Sequence, residues 1–463
     1  MKIYNTLNKK IEEFIPNNKE EVKMYTCGPT VYHYAHIGNL RTYIFEDILE
    51  KTLNYVGYKV NRVMNITDVG HLTSDADTGE DKMLLGAKRE HKTVYEIADF
   101  YTKEFFKDTE KLNIKKPDTI SKASDNIDEY IKIIQKLLDT GYAYVSGNNV
   151  YFDISKAKDY YRLSGKNEEE LIIGAREDVD HDEKKRNPFD FALWFTKSKF
   201  DNQEMKWDSP FGVGYPGWHI ECSGISLKYL GEYLDIHCGG VDNIFPHHTN
   251  EIAQSEAYTG HKWCNYWVHG EHLNDKSGKM SKSKGEFLTV SLLESKGYNP
   301  LSYRFMCLQS HYRNQLVFSY DSLDTAQSAY LKLKNKVKNL IKSNGTLDKE
   351  RIEYYNNIFK EALENDLNTS NALTCLFEVL KSDLNDDSKL YLVNEFDKVL
   401  SLNLLEKKEI DSNLLNKINE LIEKRDVAKK DKDYTLADKI RNELLEMNVV
   451  IKDTREGTTF EMR

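Results

Sequence analysis

The chain has 463 residues, of which 40% are hydrophobic and 30% are charged, and its formal net charge is −10. Since domains usually hold roughly 100 to 200 residues each, this length predicts three or four domains. The acidic balance argues against a surface coated in basic side chains for non-specific nucleic-acid binding, although residues 424–441 hold seven basic side chains against four acidic ones.

No apolar run in the sequence approaches the ~20 residues that span a bilayer, and the first residues lack the pattern of a signal peptide. We therefore expect a cytoplasmic protein with no membrane partner. The cysteines are sparse and form no CxxC pair, which argues against a disulfide framework and leaves a metal-binding role open. They are Cys27, Cys222, Cys238, Cys264, Cys307 and Cys375.

Residues 24–39 organise the first part of the chain. A strand-type run breaks at Gly28-Pro29, and an amphipathic run from Leu40 to Val56 predicts a helix. The start of such a helix presents free backbone N–H groups to a phosphate, and His36 can add a donor. Cys27 lies at the end of the predicted strand, where ligands of open parallel sheets bind. One short segment could therefore carry both a nucleotide site and a thiolate.

Further along the chain, strand and helix patterns alternate. Residues 59–64 predict a second strand, and strand, helix, strand in this order implies a parallel sheet. Residues 117–203 change character and predict an inserted domain. The alternation resumes near residue 215 and leads to a strand, Leu234–His237, with a glycine-rich end at 238–242. Long helical periodicity from 320 to 405 predicts a helical bundle, and the last sixty or so residues predict a small separate unit.

His247 and Glu251 fall on a predicted helix, His247–Tyr258, which Pro246 would open. Four positions apart, they share one face of that helix. Such a pair is most often a solvated surface pair, and each cysteine by itself is most often a buried apolar thiol. Cys27 and Cys222, however, each lie near the end of a sheet element. Two thiolates, an imidazole and a carboxylate make a chemically sensible tetrahedral zinc site.

Lys279 and Lys282 lie three apart in a stretch flanked by Gly278 and Gly285. Ammonium groups so placed can neutralise a departing polyphosphate. The alternative is an ordinary solvated lysine-rich loop, which spacing alone does not exclude.

The sequence resembles a known family at several separate stretches. His36-Ile37-Gly38-Asn39 and Lys279-Met280-Ser281-Lys282-Ser283 resemble the paired HIGH and KMSKS motifs of class I aminoacyl-tRNA synthetases. Four more stretches are similar to the cysteinyl-tRNA synthetase family within that class, and together they extend the resemblance over nearly the whole chain. They are CGPTVY at 27–32, GWHIEC at 217–222, FPHH at 245–248 and DYTLAD at 433–438.

The resemblance implies activation of L-cysteine with ATP, followed by transfer of the cysteinyl group to the terminal adenosine of tRNA(Cys). His36 would donate to phosphate, and Lys279 and Lys282 would hold the pyrophosphate charge, with Mg²⁺ bridging the phosphates. Asn39 replaces the last His of HIGH, and we expect activity despite this change. The expected ATP contacts are His36, Gly38, Asn39, Gly239, Gly240, Asp242, Trp267, Val268, Lys279 and Lys282.

The resemblance gives the same four zinc ligands, Cys27, Cys222, His247 and Glu251, with one zinc per chain. An apolar pocket separates cysteine from serine by only about 1 to 3 kcal/mol, whereas a metal binds a thiolate in preference to a hydroxyl. The candidates for contacting the substrate cysteine are Thr67, Trp218, His237 and Asp242. The alternative role of Trp218 is ordinary core packing.

Near the C-terminus, the resemblance implies an anticodon-reading unit that meets unpaired bases by stacking and hydrogen bonds. The candidate residues are Lys429, Tyr434, Asp438 and Asp453. The alternative is that these charged residues are simply solvated.

The implied fold is α/β, a Rossmann-like parallel sheet with an inserted domain, followed by a helical bundle and a small C-terminal α/β unit. Family analogy also suggests a monomer. The expected divisions are catalytic halves at 1–116 and 204–266, a connective insertion at 117–203, a KMSKS-containing stem-contact region at 267–320, a bundle at 321–405 and an anticodon unit at 406–463.

Two other functions compete with this interpretation. One is a ligase of the same fold that joins activated cysteine to an amino sugar, but such relatives lack a C-terminal anticodon unit. The other is a catalytically inactive relative that only binds RNA, against which the intact His36, Lys279 and Lys282 argue.

Overall fold

The computed structural model describes the chain except residues 71–82, 84–85, 87–88, 91, 167–184, 198–203, 276–277, 280–286, 406–411, 448, 455–456 and 463. The chain divides into two compact units, Met1–Leu405 and Glu406–Arg463. The finer division expected from the sequence stays a prediction. Among the described helices, none has both the length and the apolar character needed to cross a bilayer.

The first 270 residues alternate strands and helices. In chain order the elements are β1 (Lys2–Asn5), β2 (Lys10–Glu13), β3 (Val22–Thr26), α1 (Ile37–Tyr55), β4 (Val60–Ile66), α2 (Val94–Lys111), β5 (Thr119–Lys122), α3 (Ile127–Asp139), β6 (Ala143–Ser146), β7 (Asn149–Phe152), β8 (Phe191–Phe195), β9 (Tyr215–Pro216), α4 (Trp218–Leu230), β10 (Leu234–Gly240), α5 (Thr249–Thr259) and β11 (Cys264–Gly270).

Five of these strands form an all-parallel sheet in the order β11-β10-β3-β4-β5. Every residue of β10 is buried, as expected for a central parallel strand covered on both faces. The predicted α/β class is confirmed. Because β10 and β3 are neighbours, the ends of both strands open onto the same edge of the sheet, where ligands of this architecture bind.

The strands and helices differ from the sequence expectations in three places. Thr119–Lys122 joins the parallel sheet, although the sequence predicts that the insertion begins at residue 117. The sequence does not predict this short edge strand, because it lacks the apolar run typical of a buried strand. Strand β11 crosses the expected boundary at 266 and completes the other edge. The helix expected from His247 begins instead as a π-helical turn, Ile244–His248, before α5.

A second, four-stranded antiparallel sheet has the order β6-β7-β8-β9. Its first three strands lie within the expected insertion, whereas β9 lies beyond residue 203. The antiparallel sheet packs on the parallel sheet through α3 and α4, and Tyr130 and Ile225 belong to the same buried cluster. Gly224 of α4 is required there, because a Cβ at this position would lie 2.5 Å from the ring of Tyr130.

The remainder of the first unit is mostly helical. Its elements are β12 (Leu273–Asp275), β13 (Gly278–Lys279), α6 (Val290–Ser295), α7 (Pro300–Leu308), β14 (Leu316–Val317), α8 (Tyr320–Lys338), α9 (Lys349–Glu364), α10 (Thr369–Lys381) and α11 (Asp386–Leu400). The three short strands form a sheet in the order β13-β12-β14. The helices from α8 to α11 share one buried apolar cluster with residues of α1, and Phe359 and Phe396 stack within it, with ring centroids 4.0 Å apart.

The second unit contains two helices and a hairpin: α12 (Ser412–Lys430), α13 (Tyr434–Glu446), β15 (Val449–Thr454) and β16 (Gly457–Met462). Its small core includes Ile418, Ile440, Leu444 and Val449.

Candidate active site

Two cysteines 195 positions apart meet at the edge of the parallel sheet. Cys27 directly follows β3, and Cys222 lies in the second turn of α4. Their Sγ atoms are 3.9 Å apart. Burial raises the pKa of both thiols above the usual value, so both carry their protons in the metal-free protein. The pair therefore needs a cation before it can act as two thiolates.

His247 and Glu251 complete the cluster from the neighbouring helix. The π-helical turn places His247 one turn before Glu251, with Nε2 of the imidazole 3.1 Å from Oε1 of the carboxylate. One ligand atom from each of these residues and from Cys27 and Cys222 lies within 4.8 Å of the other three. The four residues proposed from the sequence are thus brought together in the structure.

The chemistry of these donors fits zinc. Two sulfurs, one imidazole nitrogen and one carboxylate oxygen form an ordinary set for that ion. Oε1 of Glu251 is buried and makes no hydrogen bond, although it faces the His247 nitrogen. Burial raises the pKa of Glu251 to about 8, with His247 opposing the shift. A bound metal would displace these protons, so its affinity depends on pH.

An overlapping donor set shares Cys27 and Glu251 but uses His237 and His248. Nε2 of His248 lies 3.3 Å from Cys27 Sγ, and Nε2 of His237 lies 2.9 Å from Glu251 Oε2. Burial lowers the pKa of His237 to about 3, so its ring is neutral. This set offers one thiolate instead of two. His237, expected to contact the substrate cysteine, therefore lies against a candidate metal ligand.

Two further histidines, His219 and His269, contact the rings of His247 and His248 on the side away from the cluster and are not singled out by the sequence. His219 Nδ1 lies 2.9 Å from His247 Nδ1. His248 Nδ1 lies 2.8 Å from His269 Nε2, whose other nitrogen lies 2.8 Å from Thr6 Oγ1. Partners of this kind fix the tautomer and orientation of ligand rings. The clustering of histidines in the sequence could have pointed to these residues, since seven of the thirteen histidines fall within residues 219–272.

Trp218 and Thr67, which are expected to contact the substrate cysteine, lie beside this cluster. The half-buried ring of Trp218 is 4.4 Å from the ring of His247. The Thr67 hydroxyl is buried and donates to Glu221 Oε2 at 3.1 Å. Trp218 is therefore placed to form a wall of the site, whereas Thr67 already has a protein partner.

The expected phosphate site lies at the start of α1, where His36 is the N-cap residue. Its Nδ1 accepts the N–H of Gly38 at 3.1 Å. Because Nδ1 of the neutral ring is an acceptor, the ring proton is on Nε2, which makes that nitrogen a donor, as the sequence analysis expected. Asn39 is exposed in the first turn. The free backbone N–H groups expected here are not found, because the N–H groups of residues 37–40 all donate within the protein. What this helix start offers a phosphate is the His36 ring and the positive end of the helix dipole.

The expected adenosine contacts lie on the two neighbouring strands of the sheet. Trp267 is paired with His237 and Val268 with Cys238, one step before Gly239. A Cβ at Gly239 would lie 2.8 Å from His248, so only glycine allows this close approach. Gly240 ends β10, and the exposed Asp242 follows it.

Comparison with known proteins identifies the architecture. The family model for the class I (C) tRNA synthetase catalytic domain matches residues 13–328, a DALR domain model matches 358–389, and a cysteinyl-tRNA ligase anticodon-binding domain model matches 411–460. The cysteine–tRNA ligase of Treponema denticola is 47% identical, with 99% of each chain covered. The chain belongs to the cysteine–tRNA ligase family.

Other matches agree with this assignment. The cysteine–tRNA ligase of Borreliella burgdorferi is 46% identical, with 99% of this chain and 98% of that protein covered. Among solved structures, Mycobacterium tuberculosis methionyl-tRNA synthetase in complex with methionyl-adenylate aligns with a TM-score of 0.57 and 14% identity over 86% of this chain and 94% of that one. At that identity the likeness shows the fold alone.

Of the KMSKS-like stretch at residues 279–283, the structure of this cysteine–tRNA ligase family member describes only the first residue. The backbone of Lys279 lies in β13, opposite Asn274 of β12. Lys282 lies outside the described residues. Their contacts with phosphate therefore stay predictions.

The four residues expected to read the anticodon all lie in the second unit of this cysteine–tRNA ligase family member. Tyr434 is 63% exposed at the start of α13, and Asp438 is exposed one turn later. Asp453 accepts from both terminal nitrogens of Arg425, at 2.9 and 3.0 Å, and from Lys429 at 2.9 Å. Lys429 and Asp453 thus form an ion pair, whereas Tyr434 presents its ring to solvent.

Proposed function

We propose that this chain is an ATP-dependent cysteine–tRNA ligase that charges tRNA(Cys). The carboxylate of L-cysteine attacks the α-phosphorus of ATP, giving cysteinyl-adenylate and pyrophosphate. The 2′-hydroxyl of the terminal adenosine then attacks the cysteinyl carbonyl, and AMP leaves. The observation that carries the proposal is the buried cluster of two thiols, one imidazole and one carboxylate at the edge of the parallel sheet.

The amino-acid end of the site consists of Cys27, Cys222, His247 and Glu251, which would hold one zinc ion. Bound zinc supplies a preference for a thiolate over a hydroxyl, which an apolar pocket cannot match. The set with two cysteines is favoured over the one with His237 and His248, because it offers zinc two thiolates instead of one. Trp218 shields one side of this end of the site.

The nucleotide end consists of the helix start at His36 and the two lysines of residues 279–283. The Nε2–H of His36 donates to phosphate, and Lys279 and Lys282 hold the charge that develops on pyrophosphate, with Mg²⁺ accompanying ATP. Charge stabilisation and positioning supply most of the rate enhancement in phosphoryl chemistry of this kind. Gly38, Asn39, Gly239, Gly240, Asp242, Trp267 and Val268 are the further contacts proposed for ATP.

The tRNA end is the second unit, in which Tyr434 would stack on an unpaired base and Asp438 would accept a hydrogen bond. Lys429 and Asp453, which form an ion pair with each other, are proposed to contact the anticodon as well. We propose that the enzyme works as a monomer in the cytoplasm, in line with its family resemblance.

Two assays on the purified protein test this function. Cysteine-dependent exchange of pyrophosphate into ATP is expected, together with cysteine attachment to tRNA(Cys). Exchange without tRNA charging, but with cysteine joined to an amino sugar, would support the amino-sugar ligase instead. Neither exchange nor charging, with tRNA binding retained, would show an inactive RNA-binding relative.

A further inference from the structure

Arg41 is a buried arginine in the second turn of α1, five positions after His36. It is 4% exposed, and its guanidinium donates to three backbone carbonyls. One terminal nitrogen donates to the carbonyl oxygens of Glu271, at 2.8 Å, and of His272. The other donates to the carbonyl oxygen of Asn314. In the described part of the chain no carboxylate forms an ion pair with Arg41, so the three carbonyls are what balance its charge.

These carbonyls belong to the segments that lead into two strands of the small sheet. His272 directly precedes β12, and its carbonyl oxygen also accepts from the Leu316 N–H of β14. Asn274 of β12 is paired with Lys279 of β13. The backbone carrying Lys279 is therefore one strand away from a segment that Arg41 holds directly.

The start of α1, next to His36, also contacts this part of the chain. Leu273 of β12 belongs to the same buried apolar cluster as Ile37 and Leu40, so the first turn of α1 lies close to β12. The N–H of Ile37 donates to the Leu288 carbonyl at 2.9 Å. The first two turns of α1 thus hold the chain on both sides of residues 280–286.

We infer that Arg41 is a positioning residue that fixes the backbone bearing Lys279 relative to the His36 end of α1. This inference rests on the proposed function, in which both residues bind the phosphates of ATP. A displacement of about 1 Å between such groups can cost about 100-fold in rate. Arginine is required because its planar fork serves three carbonyls at once, whereas a lysine ammonium is a compact point charge that cannot span them.

The test compares the two half-reactions in Arg41→Lys and Arg41→Gln. Cysteine-dependent pyrophosphate exchange is expected to lose about 10- to 100-fold in kcat, with KM for cysteine and zinc content unchanged. Transfer from preformed cysteinyl-adenylate to tRNA is expected to change less than threefold, because no pyrophosphate charge develops in that step.

Arg304 offers a matched control. It is a fully buried arginine that donates to the Leu400 carbonyl at 2.7 Å, the Leu112 carbonyl at 3.0 Å and Asp47 of α1 at 2.6 Å, without touching β12. Arg304→Lys is expected to lower the melting temperature and to affect both half-reactions equally.

A double-mutant cycle with Lys279→Ala provides an independent measurement, even if the Arg41 variants are less stable. Since Arg41 acts through Lys279, its substitution in the Lys279→Ala background is expected to cost less than threefold in exchange. Equal losses in both half-reactions, or full additivity in the cycle, would overturn the inference. Absence of cysteine-dependent exchange in the unmodified enzyme would instead reject the proposed function.

Discussion

The Sγ atoms of Cys27 and Cys222 lie 3.9 Å apart, although the two residues are 195 positions apart in the chain. Zinc–sulfur bonds of about 2.3 Å at tetrahedral angles place two sulfurs about 3.8 Å apart. The fold thus sets the thiols at the spacing of two ligands on one zinc ion. The end of β3 and the second turn of α4 together create this relationship.

The first prediction concerns metal content. Purified protein should contain one zinc per chain by elemental analysis, and Cys27→Ser together with Cys222→Ser should lose it, because a serine hydroxyl is a poor zinc ligand at neutral pH. Cys375→Ser is the control, since Cys375 is a buried thiol of α10 outside the cluster. Zinc retained after the double substitution would contradict the ligand assignment.

The second prediction concerns the residue behind the metal ligands. His219→Leu removes the partner at 2.9 Å from His247 Nδ1 and should weaken zinc affinity about 10- to 100-fold. Competition with a chromogenic chelator measures this change. His261→Leu, at a histidine outside the cluster, should leave affinity unaltered, and equal affinities in the two variants would show that His219 does not support the site.

Much of this site could be predicted from the sequence. Residue type and spacing predict the four candidate ligands and the helix that follows His36, because Cys27 follows a predictable buried strand and His247 and Glu251 share one face of a predicted helix. Cys222 lies in the second turn of α4. The supporting histidines were missed because His219 and His269 face the cluster only through tertiary packing. Thr119–Lys122 was missed as a sheet strand for a related reason: its place at the edge depends on pairing with β4 rather than on its own pattern.

The third prediction concerns Lys282. Replacing it with alanine should lower kcat of pyrophosphate exchange about 100- to 1,000-fold, as for loss of one transition-state donor, while KM for cysteine stays near its original value. Lys284→Ala, two positions along, is the matched control and should remain within about threefold. Similar losses in both variants would mean that general positive charge, not Lys282 itself, is what matters.

The fourth prediction concerns pH and stability. Glu46 of α1 is fully buried, neither carboxylate oxygen is hydrogen-bonded, and burial raises its pKa to about 8, with Arg62 opposing the shift. The folded state therefore keeps a proton that the unfolded state releases near pH 4.5, so stability falls as pH rises from about 4.5 to about 8, by up to about 1.4 kcal/mol per pH unit.

Glu46→Gln removes this titration. The melting temperature of the unmodified protein should fall relative to that of Glu46→Gln between pH 6 and pH 8, whereas replacement of the exposed Glu110 by Gln should leave the pH profile unchanged. A constant difference between the unmodified protein and Glu46→Gln across this range would refute the assignment.

The fifth prediction concerns the tRNA end. Tyr434→Ala should raise KM for tRNA about 5- to 160-fold, since stacking of one base on an aromatic ring contributes about 1 to 3 kcal/mol. Pyrophosphate exchange should be unaffected, because it does not involve tRNA. Tyr354→Ala, at an equally exposed tyrosine of α9, is the control, and unchanged tRNA kinetics in Tyr434→Ala would remove this residue from the interface.

The most direct measurement compares cysteine with serine as substrate for pyrophosphate exchange by the zinc-loaded enzyme. An apolar pocket alone would separate these amino acids by roughly 10- to 200-fold in kcat/KM. We expect a preference for cysteine of more than about 10,000-fold, because bound zinc prefers a thiolate, which serine cannot supply. A preference no greater than that of an apolar pocket would contradict it.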